Sequence, residues 1–270
     1  MSQSCYYEPQ GAGRYRPTRH VQGAWNDDEQ HMGPVSGLLV HAIERHEPRP
    51  ELQLARVGYE ILGLIPLQES VIQVHTLRAG RTVELVEATM QVAGRTVVRA
   101  TAWRLLRQDT RAVAGGGPPP LPQPDDVPPW SGTAHWEGGY IASLQIKKMD
   151  GARPGRGRVW MRSDVDLVAG ESVSPTAHYL RLVDTANGIA VRADPRRWLF
   201  PNVDLTVHLF RQPLGPWVGL DTTVVLGPDG LGVTSSWLFD EGGAVGRAEQ
   251  SLTVRPVEQP MTAAGADLPA

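Results

Sequence analysis

The chain has 270 residues, 41% of them hydrophobic, and a formal net charge of −3 from 26 basic and 29 acidic side chains. This charge argues against a nucleic-acid partner, because a phosphate backbone is bound by a surface rich in Lys and Arg. The single cysteine, Cys5, excludes an internal disulfide, and no apolar run approaches the roughly 20 residues of a membrane span. The N-terminus lacks the pattern of a secretory signal, so we expect a cytoplasmic protein without a membrane span.

The first elements in chain order are a hairpin and a helix. Residues 4–7 and 14–18 have strand-like sequence on either side of Gly11 and Gly13. A Gly33-Pro34 pair follows, and the proline suits the first turn of a helix. Apolar residues then recur at helical spacing, at Val35, Leu38, Leu39, Ala42 and Ile43. A long stretch of strand-forming sequence completes the first half.

A Gly/Pro-rich segment separates the two halves. Residues 115–129 begin with three glycines and contain seven prolines. Such a sequence forms neither a helix nor an inner strand, and it predicts a semi-rigid, extended connector. We therefore predict an N-terminal unit over 1–107, a linker over 108–132, a C-terminal unit over 133–256 and a tail over 257–270.

The second half contains the same series of elements. Strand-like segments at 141–148 and 158–162 precede a second helix. Ser174-Pro175 is its predicted start and Asn187-Gly188 its predicted C-terminal cap. Its apolar stripe consists of Tyr179, Leu182, Val183 and Ala186.

The two halves are a duplicated unit. After each helix, turns and strand segments match in the same order at an offset of 147 or 148 residues, so that 98–100 aligns with 246–248. Each unit reads ββ-α-βββ, with short turns that make the strands antiparallel. One amphipathic helix per sheet must bury its stripe on a sheet face. We predict an α+β fold in which each antiparallel sheet curls around a central helix and the two units share one long sheet.

Several segments also carry a family resemblance. They are residues 25–34, 38–44 and 100–104 in the first half, and 183–188, 202–208, 217–221 and 246–252 in the second. In order and spacing they resemble the double hot-dog acyl-CoA thioesterases of the thioesterase II type, with their actinobacterial thioesterase-like relatives. The resemblance implies a double hot-dog fold, an acyl-CoA substrate, no cofactor, and self-association into a dimer or higher oligomer.

The resemblance also implies a site. Family members hydrolyse fatty acyl-CoA with a water held by Asp, Ser or Thr, and Gln, without a covalent intermediate. Carried over by position, the Asp falls on Asp204 and the Gln on Gln250. The hydroxyl position falls on Val225, which departs from the pattern. Thr223 shares the strand face of Val225 and could restore the hydroxyl.

Gln250 has an unusual position even apart from the family resemblance. Residues alternate along 246–254, and Gln250 lies on the apolar face with Ala248 and Leu252. A buried amide without partners costs about 1–3 kcal/mol. Gln250 is therefore either a core residue bonded to backbone carbonyls or part of a site.

Asp204 opens an alternating strand and shares a face with Thr206 and His208. It is either a solvated aspartate or the base that takes a proton from an attacking water. An amide such as that of Gln250 can orient the same water.

Three further residues border the predicted site. Asp184 lies in the second helix, off its main polar stripe, and either borders the site or pairs with Arg181. His31 and Gly33 lie at the start of the first helix, whose free N–H groups can polarise a thioester carbonyl. The alternative for His31 is an ordinary polar residue in the turn before the helix. We predict that His31, Gly33, Asp184 and Val225 contact substrate.

Other chemistries find little support in the sequence. It lacks G-x-S-x-G, which argues against a serine hydrolase, and its scattered histidines predict no metal site. Cys5 reads as an ordinary thiol. Two alternatives to hydrolysis stay open: a catalytically silent acyl-thioester-binding protein, which the Val225 departure motivates, and an enoyl-thioester hydratase or dehydratase. The latter needs a paired Asp and His, and the sequence offers His31 alone.

Overall fold

The computed structural model describes residues 4–24, 26–131 and 138–257. The first half consists of β1 (Cys5–Gly11), β2 (Arg14–Pro17), α1 (Met32–Arg45), β3 (Leu52–Ile61), β4 (Ser70–Arg78), β5 (Val83–Val92) and β6 (Arg95–Leu106). The second consists of α2 (Gly139–Ala142), β7 (Leu144–Lys148), β8 (Arg156–Ser163), β9 (Asp166–Val168), α3 (Pro175–Val183), α4 (Ala186–Ile189), β10 (Trp198–Leu199), β11 (Asp204–Leu209), β12 (Val218–Leu226), β13 (Leu231–Asp240), β14 (Gly243–Thr253) and β15 (Arg255–Pro256). Trp25, most of the predicted tail and residues 132–137 lie outside the described residues.

Four main strands follow the central helix in each half, so the predicted three were one too few. The reason lies in the turns. In the first half, turns near residues 65, 80 and 94 divide the stretch into four strands, β3 to β6. The second half gives the equivalent β11 to β14, with the short β10 paired to β15 apart from the main sheet.

One long sheet joins the two halves, as predicted. Within the described residues it has thirteen strands, in the order β7-β8-β12-β13-β14-β11-β3-β6-β5-β4-β2-β1-β9. The halves meet where β11 pairs antiparallel with β3, with Val207 opposite Val57. At the far edge, β9 of the second half pairs in parallel with β1 of the first. The α+β architecture of two helix-in-sheet units is therefore confirmed.

The two central helices pack on each other inside the sheet. Gly33 and Gly37 of α1 face α3, and Ser36 between them donates a hydrogen bond to the carbonyl of Leu180 at 2.9 Å. A β-carbon at Gly37 would lie 2.6 Å from the Cβ of Arg181 and 2.8 Å from the carbonyl oxygen of Ala177. Glycine therefore permits the approach of the two helices.

Replacing Gly37 by Ala is expected to destabilise the protein by about 1–3 kcal/mol, because α1 and α3 must separate to admit the methyl group. Alanine otherwise favours a helix over glycine, so any loss measured in urea unfolding reports the helix contact. Gly63→Ala is the matched control, since a β-carbon there has no heavy atom within 4 Å. Equal stability of the two variants would contradict this account.

The Gly/Pro-rich segment is extended and lies on the outer face of the sheet. Its Leu121 and Val127 pack in a cluster with Trp160 and Trp217. The indole of Trp160 donates to the carbonyl of Pro122 at 2.8 Å. This packing protects the outer face of the second unit from solvent.

The second helix ends earlier than predicted. Ser174 caps its start through a 3.0 Å bond from the amide of Ala177, as the sequence indicates. The helix α3 stops at Val183, however, with Asp184 as its C-terminal cap. Asn187-Gly188, the predicted cap, lies within the separate one-turn helix α4. The break leaves Asp184 between two helices.

Candidate active site

Gln250 is buried on the inner face of β14 and points at the end of α3. Its side chain is 1% exposed. The amide Nε2 donates to the side-chain oxygen Oδ1 of Asp184 at 3.0 Å and to the carbonyl of Asp184 at 3.2 Å. Its other atom, Oε1, is buried and has no hydrogen-bond partner within the described residues. A buried acceptor without a partner indicates a place for a water or a ligand atom.

Asp184 is held by two amides through one oxygen only. Oδ1 accepts from Gln250 and, at 2.9 Å, from Nδ2 of Asn202. In the described part of the chain no donor hydrogen-bonds to Oδ2, which lies 3.5 Å from Nδ1 of His31. The carboxylate is thus fixed in orientation, and one of its oxygens stays available.

His31 caps the start of α1 and faces Asp184. Its Nδ1 accepts the amide hydrogen of Gly33 at 2.9 Å, so in the neutral ring the proton is on Nε2. Burial lowers the pKa of His31, and the Asp184 carboxylate only partly opposes this. His31 is therefore neutral at pH 7, with an N–H on the far side of the ring.

Tyr140 holds the His31 ring. The two rings have centroids 4.2 Å apart with an angle of 33° between their planes. The Tyr140 hydroxyl donates to the carbonyl of Arg181 at 2.9 Å and lies at the same distance from the hydroxyl of Thr185. His31 comes from the first half, whereas Tyr140 and Asp184 come from the second. The site therefore forms only where the two units meet.

A hydroxyl-rich surface continues from Gln250 along the inner face of the sheet. Thr234 is the cross-strand partner of Gln250, and its Oγ1 is buried with no partner among the described atoms. Farther along, the hydroxyls of Thr222 and Ser236 bond to each other at 2.8 Å. Three buried hydroxyl side chains on one face of two strands are a polar lining rather than a core.

Thr223 and Val225 lie on the opposite, outer face of β12. Val225 is 66% exposed, and the Thr223 hydroxyl reaches the carbonyl of Ser235 at 3.5 Å. The structure therefore does not bring either residue to Gln250. Val225, on which the hydroxyl position of the family falls, therefore has no contact with the site.

Asp204 is also separated from Gln250. It lies on the outer face of β11, where its Oδ1 accepts from the amide of Ser251. Adjacent residues of a strand point to opposite faces, so Ser251 shares the outer face with Asp204 and Gln250 does not. Only the backbone carbonyl of Asp204 faces the site, where it accepts from Asn202 at 2.9 Å. The predicted pairing of the Asp204 and Gln250 side chains does not form.

The remaining predictions concern α1 and α3. Asp184 lies at the centre of the cluster rather than at its border, and it does not pair with Arg181. The Arg181 guanidinium instead donates to the carbonyls of Val165 and Ser163. Gly33 contributes packing: a β-carbon there would lie 2.6 Å from the Tyr140 hydroxyl. Its N–H, predicted to polarise a carbonyl, is already bonded to His31.

Among its described residues, the first unit has no equivalent cluster on its sheet. At the offset of 148 residues that aligns Ala100 with Ala248, the counterpart of Gln250 is Ala102. Ala102 is fully buried on β6 and offers no polar side-chain atom. The duplicated fold thus has a single candidate site of this kind among the described residues.

Within the described ranges, no three His, Cys, Asp or Glu side chains gather as metal ligands would. In the same ranges no helix is long and apolar enough to cross a membrane. Self-association stays a prediction.

Two helix-in-sheet units that share one long sheet define a double hot-dog protein. The chain belongs to the acyl-CoA thioesterase family: the model of the family's N-terminal domain matches residues 21–105 and that of its C-terminal domain matches residues 115–254. The predicted family and fold are both confirmed. No protein of curated function matches the sequence.

Solved structures show the same fold along almost the whole chain. A hot-dog protein of unknown function from Alicyclobacillus acidocaldarius superposes with a TM-score of 0.73 at 16% identity, covering 92% of this chain and 95% of that one. The TesB protein of Mycobacterium avium subspecies paratuberculosis gives 0.67 at 17% identity, covering 93% and 96%. The acyl-CoA thioesterase II TesB2 of Mycobacterium marinum gives 0.62 at 17% identity, covering 94% and 97%.

Proposed function

We propose that the protein hydrolyses a fatty acyl-CoA thioester with a water molecule activated by Asp184. The arrangement of the Asp184 carboxylate carries this proposal. Two amides, from Gln250 and Asn202, hold Oδ1, whereas Oδ2 has no hydrogen-bond donor among the described residues. An attacking water needs a base within hydrogen-bond reach, and the free oxygen of a fixed carboxylate supplies one.

Gln250 orients the same water. Its Oε1 is buried without a partner next to the carboxylate that its Nε2 holds. The water donates one hydrogen to Oδ2 of Asp184 and the other to Oε1 of Gln250, and its oxygen lone pair faces the thioester carbon. Fixing the nucleophile in this way lowers the entropic part of the barrier.

The reaction then follows from one proton transfer. The water oxygen bonds to the carbonyl carbon as its proton passes to Asp184. The tetrahedral intermediate collapses with cleavage of the carbon–sulfur bond, and Asp184 returns the proton to the leaving thiolate. The products are the free acid and CoA, and the carboxylate is regenerated without a covalent intermediate.

His31 stabilises the developing oxyanion in this proposal. The neutral ring has its proton on Nε2, and Tyr140 stacks on the ring and fixes its orientation. An N–H aimed at the place where negative charge develops lowers the barrier. The polarisation of the thioester carbonyl, first predicted for the Gly33 amide, is therefore assigned to the His31 side chain, which this amide orients.

The hydroxyl of the family pattern is assigned to Thr234. It faces Gln250 across the strand pair and has an unpartnered Oγ1, in contrast to the outward-facing Thr223. In the proposal its hydroxyl donates one further hydrogen bond to the oxygen of the bound water. Because the hydroxyl is assigned to Thr234, the valine at position 225 is no longer a reason to expect a catalytically silent protein.

Thiol release from acyl-CoAs of short, medium and long chain length tests the proposal. Purified protein is mixed with each substrate and a chromogenic thiol reagent. We expect turnover of about 1–10³ per second on the preferred chain length. Saturable binding of acyl-CoA without thiol release would instead support a binding protein.

A second candidate reaction is hydration of an enoyl thioester. The pair of His31 and Asp184, 3.5 Å apart, favours it, because water addition to a double bond needs one group that takes a proton from the water and one that supplies a proton to the substrate carbon. Loss of enoyl absorbance with crotonyl-CoA, without thiol release, would support hydration over hydrolysis.

A further inference from the structure

We propose that the end of the long sheet next to the candidate site is a surface that binds peripherally to a bilayer containing anionic lipids. Four segments form this surface, which we call the rim: residues 60–64, 95–99, 192–204 and 251–257. Val203 directly follows Asn202, whose side-chain amide holds Asp184, so the rim borders the candidate site. The binding itself does not require the proposed hydrolysis.

Backbone hydrogen bonds join the four segments into one continuous surface. Three of them have N–O distances of 2.9 to 3.0 Å and link Ile61 to Val203, Leu62 to Val97 and Thr253 to Pro201. The segments lie on both sides of the contact between β3 and β11. The rim therefore belongs to both units of the fold, and its side chains can meet one flat partner together.

Large apolar side chains of the rim project into solvent. Leu62 and Leu64 are 58% and 71% exposed. A β-carbon at Gly63 between them would have no heavy atom within 4 Å, so this loop extends away from the body of the protein. Val203, beside the loop, is also exposed. One exposed apolar side chain is ordinary, but several on a continuous surface mark a place of interaction.

An exposed tryptophan extends the apolar part of the rim. Trp198 lies on the two-stranded pair of β10 and β15, where it is opposite Pro256, and the next residue, Leu199, is opposite Arg255. Arg197 precedes it in the chain, so arginines flank the indole on both strands. Tryptophan favours the boundary between water and hydrocarbon, because its ring is apolar and its N–H is polar.

The rim is basic although the chain as a whole is acidic. Its four segments contain six arginines against three carboxylates, whereas the net charge of the chain is −3. Two of the arginines are in ion pairs. The other four are exposed, and within the described residues no carboxylate lies at ion-pair distance from them: Arg95, Arg192, Arg197 and Arg255. Anionic lipid headgroups attract such cations.

The combination of leucines, a tryptophan and unpaired arginines fits a lipid surface better than other partners. A nucleic acid would neutralise the arginines but leave the leucines in water. In a two-fold contact with a second copy, the same surface would meet itself, and its excess positive charge would oppose the contact. A bilayer with anionic lipids offers negative charge at its surface and hydrocarbon directly below. On the proposed function, a fatty acid released at the site could enter this bilayer directly.

Co-sedimentation with lipid vesicles tests the proposal. We expect binding to vesicles of phosphatidylcholine with phosphatidylglycerol, weak binding to phosphatidylcholine alone, and a decrease as salt is added. Arg197→Ala with Arg255→Ala should weaken binding by about 30-fold, the contribution of two arginines near an anionic surface. Leu62→Ser with Leu64→Ser should weaken it by about 10- to 100-fold, because less apolar surface is buried.

Matched controls come from the opposite end of the sheet. Arg81→Ala with Arg107→Ala removes two exposed arginines there, and Leu214→Ser removes an exposed leucine. Both controls should bind vesicles as the parent does. Thermal unfolding checks that every variant is folded.

Equal binding to neutral and anionic vesicles, or controls as weak as the rim variants, would overturn the proposal. So would a parent protein that binds no vesicles. In that case sedimentation velocity shows whether Leu62→Ser with Leu64→Ser dissociates an oligomer, which would assign the rim to a second copy. Vesicle binding is measured without substrate, so failure of the proposed hydrolysis is a separate result.

Discussion

Asp184→Asn is expected to lower kcat by about 10²- to 10⁴-fold, the usual contribution of a general base. The asparagine side chain has the same shape and can still accept the bonds from Gln250 and Asn202 through its carbonyl oxygen. It cannot take a proton from water. KM should change little, and steady-state thiol release measures both constants.

Asp204→Asn is the matched control for this variant. It removes a carboxylate 20 residues along the chain, on the other face of the sheet. Activity of this variant should stay within a few-fold of the parent. If Asp204→Asn is inactive and Asp184→Asn is active, the assignment first made from the sequence is right and the one made from the geometry is wrong. Thermal unfolding of both variants excludes misfolding as the cause.

Gln250 and Asp184 could be found in the sequence by the same signal. Each is a polar residue on a face that its neighbours make apolar: Gln250 shares a strand face with Ala248 and Leu252, and Asp184 lies off the polar stripe of its helix. Asp204 has the opposite pattern, with Thr206 and His208 on its face. The alternation of polar and apolar residues along each strand therefore indicates that the side chains of Asp204 and Gln250 lie on different faces. The family resemblance placed both in one site because it aligned residues by position in the sequence.

Other site residues had no usable signal. Asn202 precedes β11, where no regular spacing assigns its side chain to a face. Thr234 lies between Val233 and Ser235, and the valine, not the threonine, is the exposed residue. Here the usual rule of apolar inside and polar outside is reversed, because the inner face lines a site. Hydrophobic alternation predicts which residues share a face, but not which face is buried.

The repeat explains why the fold was more predictable than the site. Because the unit is duplicated, the order of helices and strands can be inferred independently from each half. Turns that match at one offset support both assignments, so the sheet and both helices can be predicted from local sequence. A catalytic cluster requires the two copies to differ. Gln250 against Ala102 is one such difference, and Arg104 on the inner face of the first unit is another. Repetition cannot reveal a residue that only one copy has.

Arg104→Met is expected to lower the free energy of unfolding by about 3 kcal/mol, because it leaves the carboxylate of Glu84 buried without its main partner. The two side chains face each other across β5 and β6, and their exposed fractions are 6% and 3%. Arg49 lies 3.6 Å from the same carboxylate, which places the effect at the lower end of the range of about 3–5 kcal/mol for a broken buried pair. Urea unfolding measures the change.

The double variant Arg104→Met with Glu84→Leu separates the charge from the packing. With both charges removed, no ion is left in the core, so most of the lost stability should return. Recovery should stay incomplete, since Nη1 of Arg104 also donates to the carbonyl of His46 at 3.2 Å at the end of α1, and methionine cannot. Arg111→Met, in an exposed pair with Asp109, should leave stability unchanged. A double variant no more stable than Arg104→Met would show that the helix contact, rather than the unpaired carboxylate, accounts for the loss.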